Sequence, residues 1–115
     1  MSRRDLGAAL AGAAFAAAGL LAPAAAAADL ENARKIHERQ CAQCHGKDGN
    51  TPLDASYPRL AGQHRDYLLR TMLDYQSGAR KNAIMGAQVQ ALSRRDLRDL
   101  AAFYAGLPGQ LHIKR

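Results

Sequence analysis

The sequence predicts a small all-α domain behind an N-terminal export leader, and three observations predict it. Apolar residues recur at helical spacing in three separate stretches, no stretch alternates as a half-buried strand would, and long loops join the helices. At 115 residues the chain has room for one domain. That length excludes multi-domain enzymes, solenoid arrays and large α/β barrels. Composition is uneven, because residues 1–28 hold 14 of the 25 alanines. The 87 residues from Asp29 onward include 35 apolar ones, with no Trp and a single Phe. A core that thin normally needs a disulfide, a metal or a cofactor to complete it.

Residues 1–28 read as a secretory signal peptide. Arg3 and Arg4 form a positive n-region, and Leu6–Leu21 is an apolar run interrupted only by glycine. Pro23 ends the run, and Ala26-Ala27-Ala28 supplies small residues at the positions a signal peptidase reads. Cleavage after Ala28 would leave 29–115 as the exported domain, in a bacterial periplasm. The run is shorter than the ~20 residues of a spanning helix. Ser2-Arg3-Arg4 also carries a weak twin-arginine hint.

In the mature chain, Leu30–Gln40 places Ala33, Ile36, His37 and Gln40 at helical spacing, with Asp29 as N-cap and Asn32 near the start. Residues 46–63 carry Gly46, Gly49, Pro52, Pro58 and Gly62, so they form a loop with turns. Arg65–Ser77 is a second helix, with Leu68, Met72, Tyr75 and Ala79 on one face and Gly78 as its stop. Residues 80–91 read as loop with a short helical turn at Ala87–Ala91. Ser93-Arg94-Arg95-Asp96 resembles a capping box with Asp in the place of Glu. The helix it opens buries Leu97, Leu100, Ala101 and Tyr104, and Gly106 and Pro108 end it. Three helices with such long connections make sense if a cofactor fills the space between them.

The chemistry centres on Cys41 and Cys44, two residues apart and followed at once by His45. An exported protein lives where disulfides form, but a bridge between these two would close only a tiny loop. A thioredoxin-like redox pair needs a βαβ context, and structural zinc needs a second pair of ligands; neither is in the sequence. Cys-X-X-Cys-His is also a c-type haem attachment site, in which both thiols add to haem vinyl groups and the adjacent imidazole lies beneath the iron. Export, small size and the absence of the alternatives favour this last meaning.

Cys41-Ala42-Gln43-Cys44-His45-Gly46-Lys47-Asp48-Gly49-Asn50 resembles the haem site of class I cytochromes c. The stretches Tyr57–Gln63, Tyr67-Leu68 and Gly78–Met85 resemble the cytochrome c4/c553 group, as do Leu92–Leu97 and Leu100–Tyr104. The likeness runs in order over 30–107. It departs in two ways: c4 proteins carry two such domains, and Ala33 stands where many relatives have Gly at a close helix crossing. The resemblance implies a small cytochrome c fold, three main helices and long loops wrapped around one haem c attached through Cys41 and Cys44. It implies that the Pro58 carbonyl accepts from His45 Nδ1 and that Arg80 neutralises haem propionates.

His45 is the proximal metal ligand by motif position. For the far side the candidates are Met85, Met72, His37, His64 and His112. Met72 falls on an apolar helix face, where methionine is ordinary packing. His37 reads as a packed or solvated histidine, and His64 and His112 as solvated ones. Met85 sits in a predicted loop 40 residues after His45, where a thioether is free of helical register. Loop position and resemblance together assign Met85 as the sixth ligand. His/Met ligation closes both axial positions and raises the reduction potential. That points to a one-electron carrier and not a catalyst, and no carboxylate pair, Ser/His/Asp set or phosphate loop argues otherwise.

From Asp29 the chain has 14 Lys+Arg against 9 Asp+Glu. Arg94, Arg95 and Arg98, interleaved with Asp96 and Asp99, read as a solvated face with local ion pairs. Arg59, Arg65, Arg70, Arg80 and Lys81 lie on or near loops that would rim a haem. The expected partners are redox proteins with acidic docking surfaces, or anionic lipid through peripheral association, and not nucleic acid. A monomer is expected. The alternative is a haem subunit fixed to a dehydrogenase or flavoprotein; a third is a gas- or peroxide-binding haem protein in which Met85 is displaced.

Overall fold

The computed structural model describes residues 7, 9–19 and 26–111. Arg3, Arg4, Pro23 and His112 lie outside the described residues, as does part of the apolar run. The described part of the leader forms no helix, and no helix among the described residues is long and apolar enough to cross a membrane.

The first helix starts where the sequence places it. Asp29 caps α1 (Leu30–Ile36), its carboxylate accepting from Asn32 N at 2.9 Å. Arg34 pairs with Glu31 and Glu38 on the outer face. These pairs are solvent-exposed, so they add little to stability. The helix does not stop at Gln40. It widens into a π turn at His37–Cys41 and resumes as α2 (Ala42–His45), ending at Gly46. A π turn inserts one extra residue, which rotates everything after it by roughly 100° relative to a straight helix. Periodicity counted along the sequence carries no sign of that insertion. Gly46 sits at φ 89°, and a Cβ there would fall 2.1 Å from the Thr51 carbonyl oxygen. Only glycine lets the chain turn this tightly out of α2.

α3 (Arg65–Ser77) buries Leu68 and Met72, half-buries Tyr75 and stops at left-handed Gly78. Ala79 lies past that stop and is exposed, so it does not share the apolar face. α4 (Ala83–Val89) replaces the predicted loop and begins four residues before the predicted turn. The Asn82 side chain is the cause, accepting from both Ile84 N and Met85 N. Gln76 then ties α3 to the end of α4 by donating to the Val89 and Leu92 carbonyls.

α5 (Arg94–Gly106) opens with the expected capping box. Ser93 Oγ accepts from Asp96 N, and Asp96 accepts from Ser93 N. Leu97, Leu100, Ala101 and Tyr104 are buried as predicted. The arginines of this helix are exposed, but their expected ion pairs do not form. Asp96 and Asp99 turn inward to Asn32 and to the backbone of Asp29.

α5 lies at the centre, packed on one side by α1 and on the other by α3. Ala33 is fully buried at the first crossing, so its methyl is accommodated there. The described core joins Ala33, Ile36, Leu68, Met72, Val89, Leu97, Leu100, Ala101 and Tyr104. Among the described residues only Leu97 and Leu100 are large and completely buried.

Ser93→Ala removes the cap of the central helix and is expected to cost about 1 kcal/mol. In a domain of this size that lowers Tm by about 4–8 °C, read by thermal melting of the mature protein. Asp96→Ala is expected to cost more, because Asp96 also holds Asn32.

Candidate cofactor site

α2 is short, and Gly46 turns the chain directly behind His45. The His45 ring is buried, and its Nδ1 donates to the Pro58 carbonyl oxygen at 2.9 Å. A carbonyl can only accept, so Nδ1 carries the proton and Nε2 is left with a free lone pair. Among the described residues nothing bonds to that Nε2.

The loop that presents Pro58 is braced along its length. Asp48 accepts from Asn50 N, Thr51 N and Thr51 Oγ1, which hold its carboxyl below the usual carboxylate range. Leu53 N donates to the Cys44 carbonyl, and Leu60 N and Ala61 N both donate to the Gly49 carbonyl. Arg59 Nε donates to the Asn50 carbonyl. The histidine is therefore oriented by a fixed carbonyl and not by solvent.

Cys41 and Cys44 are unbridged and half-buried on the same helical stretch. Burial pushes the Cys41 thiol up, against smaller downward pulls from the Tyr104 hydroxyl and the Arg39 charge. A redox Cys-X-X-Cys shows the opposite, a depressed nucleophilic thiol. Met85 is half-buried and packs against the core, as does Cys41. It stands in the first turn of α4, so the freedom of a loop, expected from the sequence, is replaced by the position of the Asn82 cap.

The remaining candidates separate cleanly. Met72 is buried in the core, and His64 is exposed before α3. His37 is 2% exposed and doubly bonded. Its Nε2 donates to the Lys47 carbonyl at 2.9 Å, which leaves Nδ1 to accept from the Tyr104 hydroxyl at 2.8 Å. This link joins the π turn, the loop after His45 and α5, partners too far apart along the chain for a local pattern to reveal. Its trace in the sequence is His37 standing next to Ala33 and Ile36 on the inward helix face. Arg80 donates to the Tyr67 hydroxyl at 3.4 Å and lies 5.1 Å above the Tyr75 ring. Its guanidinium holds the Tyr67 phenol below the usual tyrosine range.

A cleft of about 720 Å³ lies behind the motif, lined by His37, Phe103, Leu107 and the polar rim of α1. None of Cys41, Cys44, His45 or Met85 lines it. Those four residues nonetheless suit a haem c. They offer two unbridged, half-buried thiols, an imidazole with its lone pair free, and a thioether on the core. Leu60, Leu69, Leu73 and Tyr75 stand half-covered against the same core.

The chain is similar to known proteins over much of its length. The family described as "Cytochrome C oxidase, cbb3-type, subunit III" matches residues 28–103. Cytochrome c4 of Pseudomonas aeruginosa is 45% identical over 65 residues, covering 56% of this chain and 32% of that protein. The cytochrome subunit of sulfide dehydrogenase from Chlorobaculum tepidum is 26% identical over 98 residues, covering 85% of this chain and 87% of that one. The crystal structure of reduced recombinant cytochrome c4 from Pseudomonas stutzeri superposes with a TM-score of 0.66 at 33% identity, over 74% of this chain and 48% of that one. The chain thus spans about a third of the length of the curated cytochrome c4 it matches.

Tyr104 supplies a pH prediction. Burial, and then the neighbouring Cys41 thiol, raise its phenol well above the ordinary value of 10. The folded state holds this proton more tightly than the unfolded chain. Its contribution is therefore complete below pH 10 and is lost as pH rises above it. Tyr104→Phe is expected to flatten the alkaline fall in Tm. At neutral pH it should cost about 1–3 kcal/mol, because His37 Nδ1 loses its donor.

Proposed function

The chain belongs to the c-type cytochrome family whose model it matches, its cofactor is one haem c, and on that premise we propose that it is a periplasmic one-electron carrier. We assign Cys41 and Cys44 as the covalent attachment points and His45 and Met85 as the axial ligands. When bound, haem c supplies a ferric/ferrous couple. The observation that carries the proposal is the His45 Nδ1 bond to the Pro58 carbonyl, which fixes the tautomer a metal-ligating imidazole needs.

The chain's own residues do the rest. Pro58 holds the imidazole plane and keeps its basicity up. Held to a haem iron, the Met85 thioether would be a soft ligand that favours the reduced state and would leave no open position for oxygen or peroxide. Leu68, Met72 and the α5 core exclude water from the side they line. Exposed Arg59, Arg65, Arg70 and Lys81 fit partners with acidic docking surfaces, or anionic lipid. No catalytic residue is assigned. In this proposal 1–28 is removed on export and 29–115 is the working domain, a monomer.

A second role, as haem subunit of a dehydrogenase, is supported by the likeness to the sulfide dehydrogenase cytochrome subunit over most of both chains. The two roles differ in whether the purified chain exchanges electrons alone or only in complex.

Met85→Ala is expected to open the sixth position. The reduced variant should bind carbon monoxide where the parent protein does not, and its potential should fall within the ~0.8 V that axial ligands span. Unchanged spectra would remove Met85 from the site. Cys41→Ala with Cys44→Ala should leave no haem that survives acid-acetone extraction.

A further inference from the structure

Asp99 is 2% exposed, yet no lysine or arginine among the described residues pairs with it. Its Oδ1 accepts from the Asp29 backbone nitrogen at 2.9 Å, and its Oδ2 from Asn32 Nδ2 at 2.9 Å. The same Asn32 nitrogen donates to Asp96 Oδ1 at 2.9 Å. Two carboxylates therefore converge on one neutral side chain and one backbone nitrogen. Arg39, from the π turn, acts on Asp96 through its charge without pairing with it. Carboxylates this deeply buried are normally matched by a cation.

The nitrogen on Asp99 belongs to the residue that follows Ala26-Ala27-Ala28. Among the described residues those alanines make no hydrogen bond, whereas Asp29 caps α1 with its side chain and meets α5 with its backbone. Among the described residues, Asp29 is the first that hydrogen-bonds to α5.

We propose that hydrolysis of the Ala28–Asp29 peptide bond supplies the missing cation, and that the new α-ammonium of Asp29 pairs with Asp99 to lock α1 onto α5. Water adds its oxygen to the Ala28 carbonyl carbon as the C–N bond breaks. The nitrogen departs as an amine and takes up the proton, leaving an Ala28 carboxylate and an Asp29 ammonium with no redox change. An α-amino group is cationic at neutral pH, so the neutral amide donor on Asp99 becomes a full positive charge and the contact an ion pair of two charged groups. The helix dipole opposes a positive charge at this end, but Glu31 and the Asp29 carboxylate in the same turn offset it. Cleavage one to three residues earlier, within the same alanine run, would carry the charge away from Asp99. The inference rests on the export leader proposed above and adds what its removal does to the fold.

The test uses the haem-loaded protein exported from the full-length precursor. Intact mass reads the terminus. Thermal melts then compare a chain beginning at Asp29 with one engineered to begin at Ala26, each with and without Asp99→Asn. The expected mass begins at Asp29. The three-residue extension should lower Tm by about 4–8 °C, and Asp99→Asn should abolish that difference. Should Asp99→Asn fail to fold, titration of the Asp29 amine decides. A value at least one unit above the ordinary ~8 supports the pair, and an ordinary value overturns it. A terminus elsewhere overturns both the cleavage position and the pair. A terminus at Asp29 with equal melts overturns the pair alone.

Discussion

The shortage of large apolar side chains governs this domain. Beyond Leu97 and Leu100, its buried core consists of alanines, residues that keep some exposure, and one tyrosine. A helix bundle of this length would normally put several leucines or aromatics between its layers. Here the side chains of α3 and α4 that would complete such a layer, among them Leu69, Leu73, Tyr75 and Met85, are only half-covered. The flat, rigid, apolar body of a haem is what a core so arranged can be built around. The same constraint explains why α5 sits in the middle, since it is the helix with enough apolar surface to serve two neighbours.

Polar links carry what the core does not. His37, Asn32, Gln76 and Gln40 each reach across to another element, and among the described residues no buried side-chain polar atom is left without a partner. Such links add modestly to stability when made and cost more when broken. They therefore act mainly as registers, setting where one element stops relative to the next. The π turn belongs with them. By admitting one extra residue it lets His37 face Tyr104 and the Lys47 carbonyl, while Cys41, four residues on, still packs against the core.

Much of this was legible in the sequence, for identifiable reasons. α3, α5 and the start of α1 follow from short-range rules: an Asp or Ser cap, apolar residues every third or fourth position, a glycine at the end. The attachment motif is local too, five residues whose spacing carries its own chemistry. What stayed hidden depends on partners distant along the chain, or on a local cap with no repeating apolar pattern behind it. The π turn leaves no periodic mark. α4 was masked because its few apolar residues do not repeat, although Asn82 was there as a cap. Asp96 and Asp99 were assigned to neighbouring arginines because i,i+3 and i,i+4 spacing is visible in a sequence, whereas Asn32 and the Asp29 backbone lie more than 60 residues away. Loop position and resemblance together point to Met85 in the sequence, and the first of these gives way because Met85 lies on a helix. Its candidacy now rests on its packing and on the family.

These features bear on the order in which such a chain could mature. In the folded arrangement Cys41 is half-buried and its thiol is pushed toward the protonated, unreactive form. Attachment is easier while the segment is still open, which favours export of an unfolded chain over a twin-arginine route for folded cargo. The proposed cleavage after Ala28 acts at the opposite end of the same helical stretch. Cofactor attachment would supply bulk that the side chains lack, and cleavage would supply a charge that Asp99 lacks. Both would be available only after transport, so the chain would cross the membrane before either of the contributions that close its core.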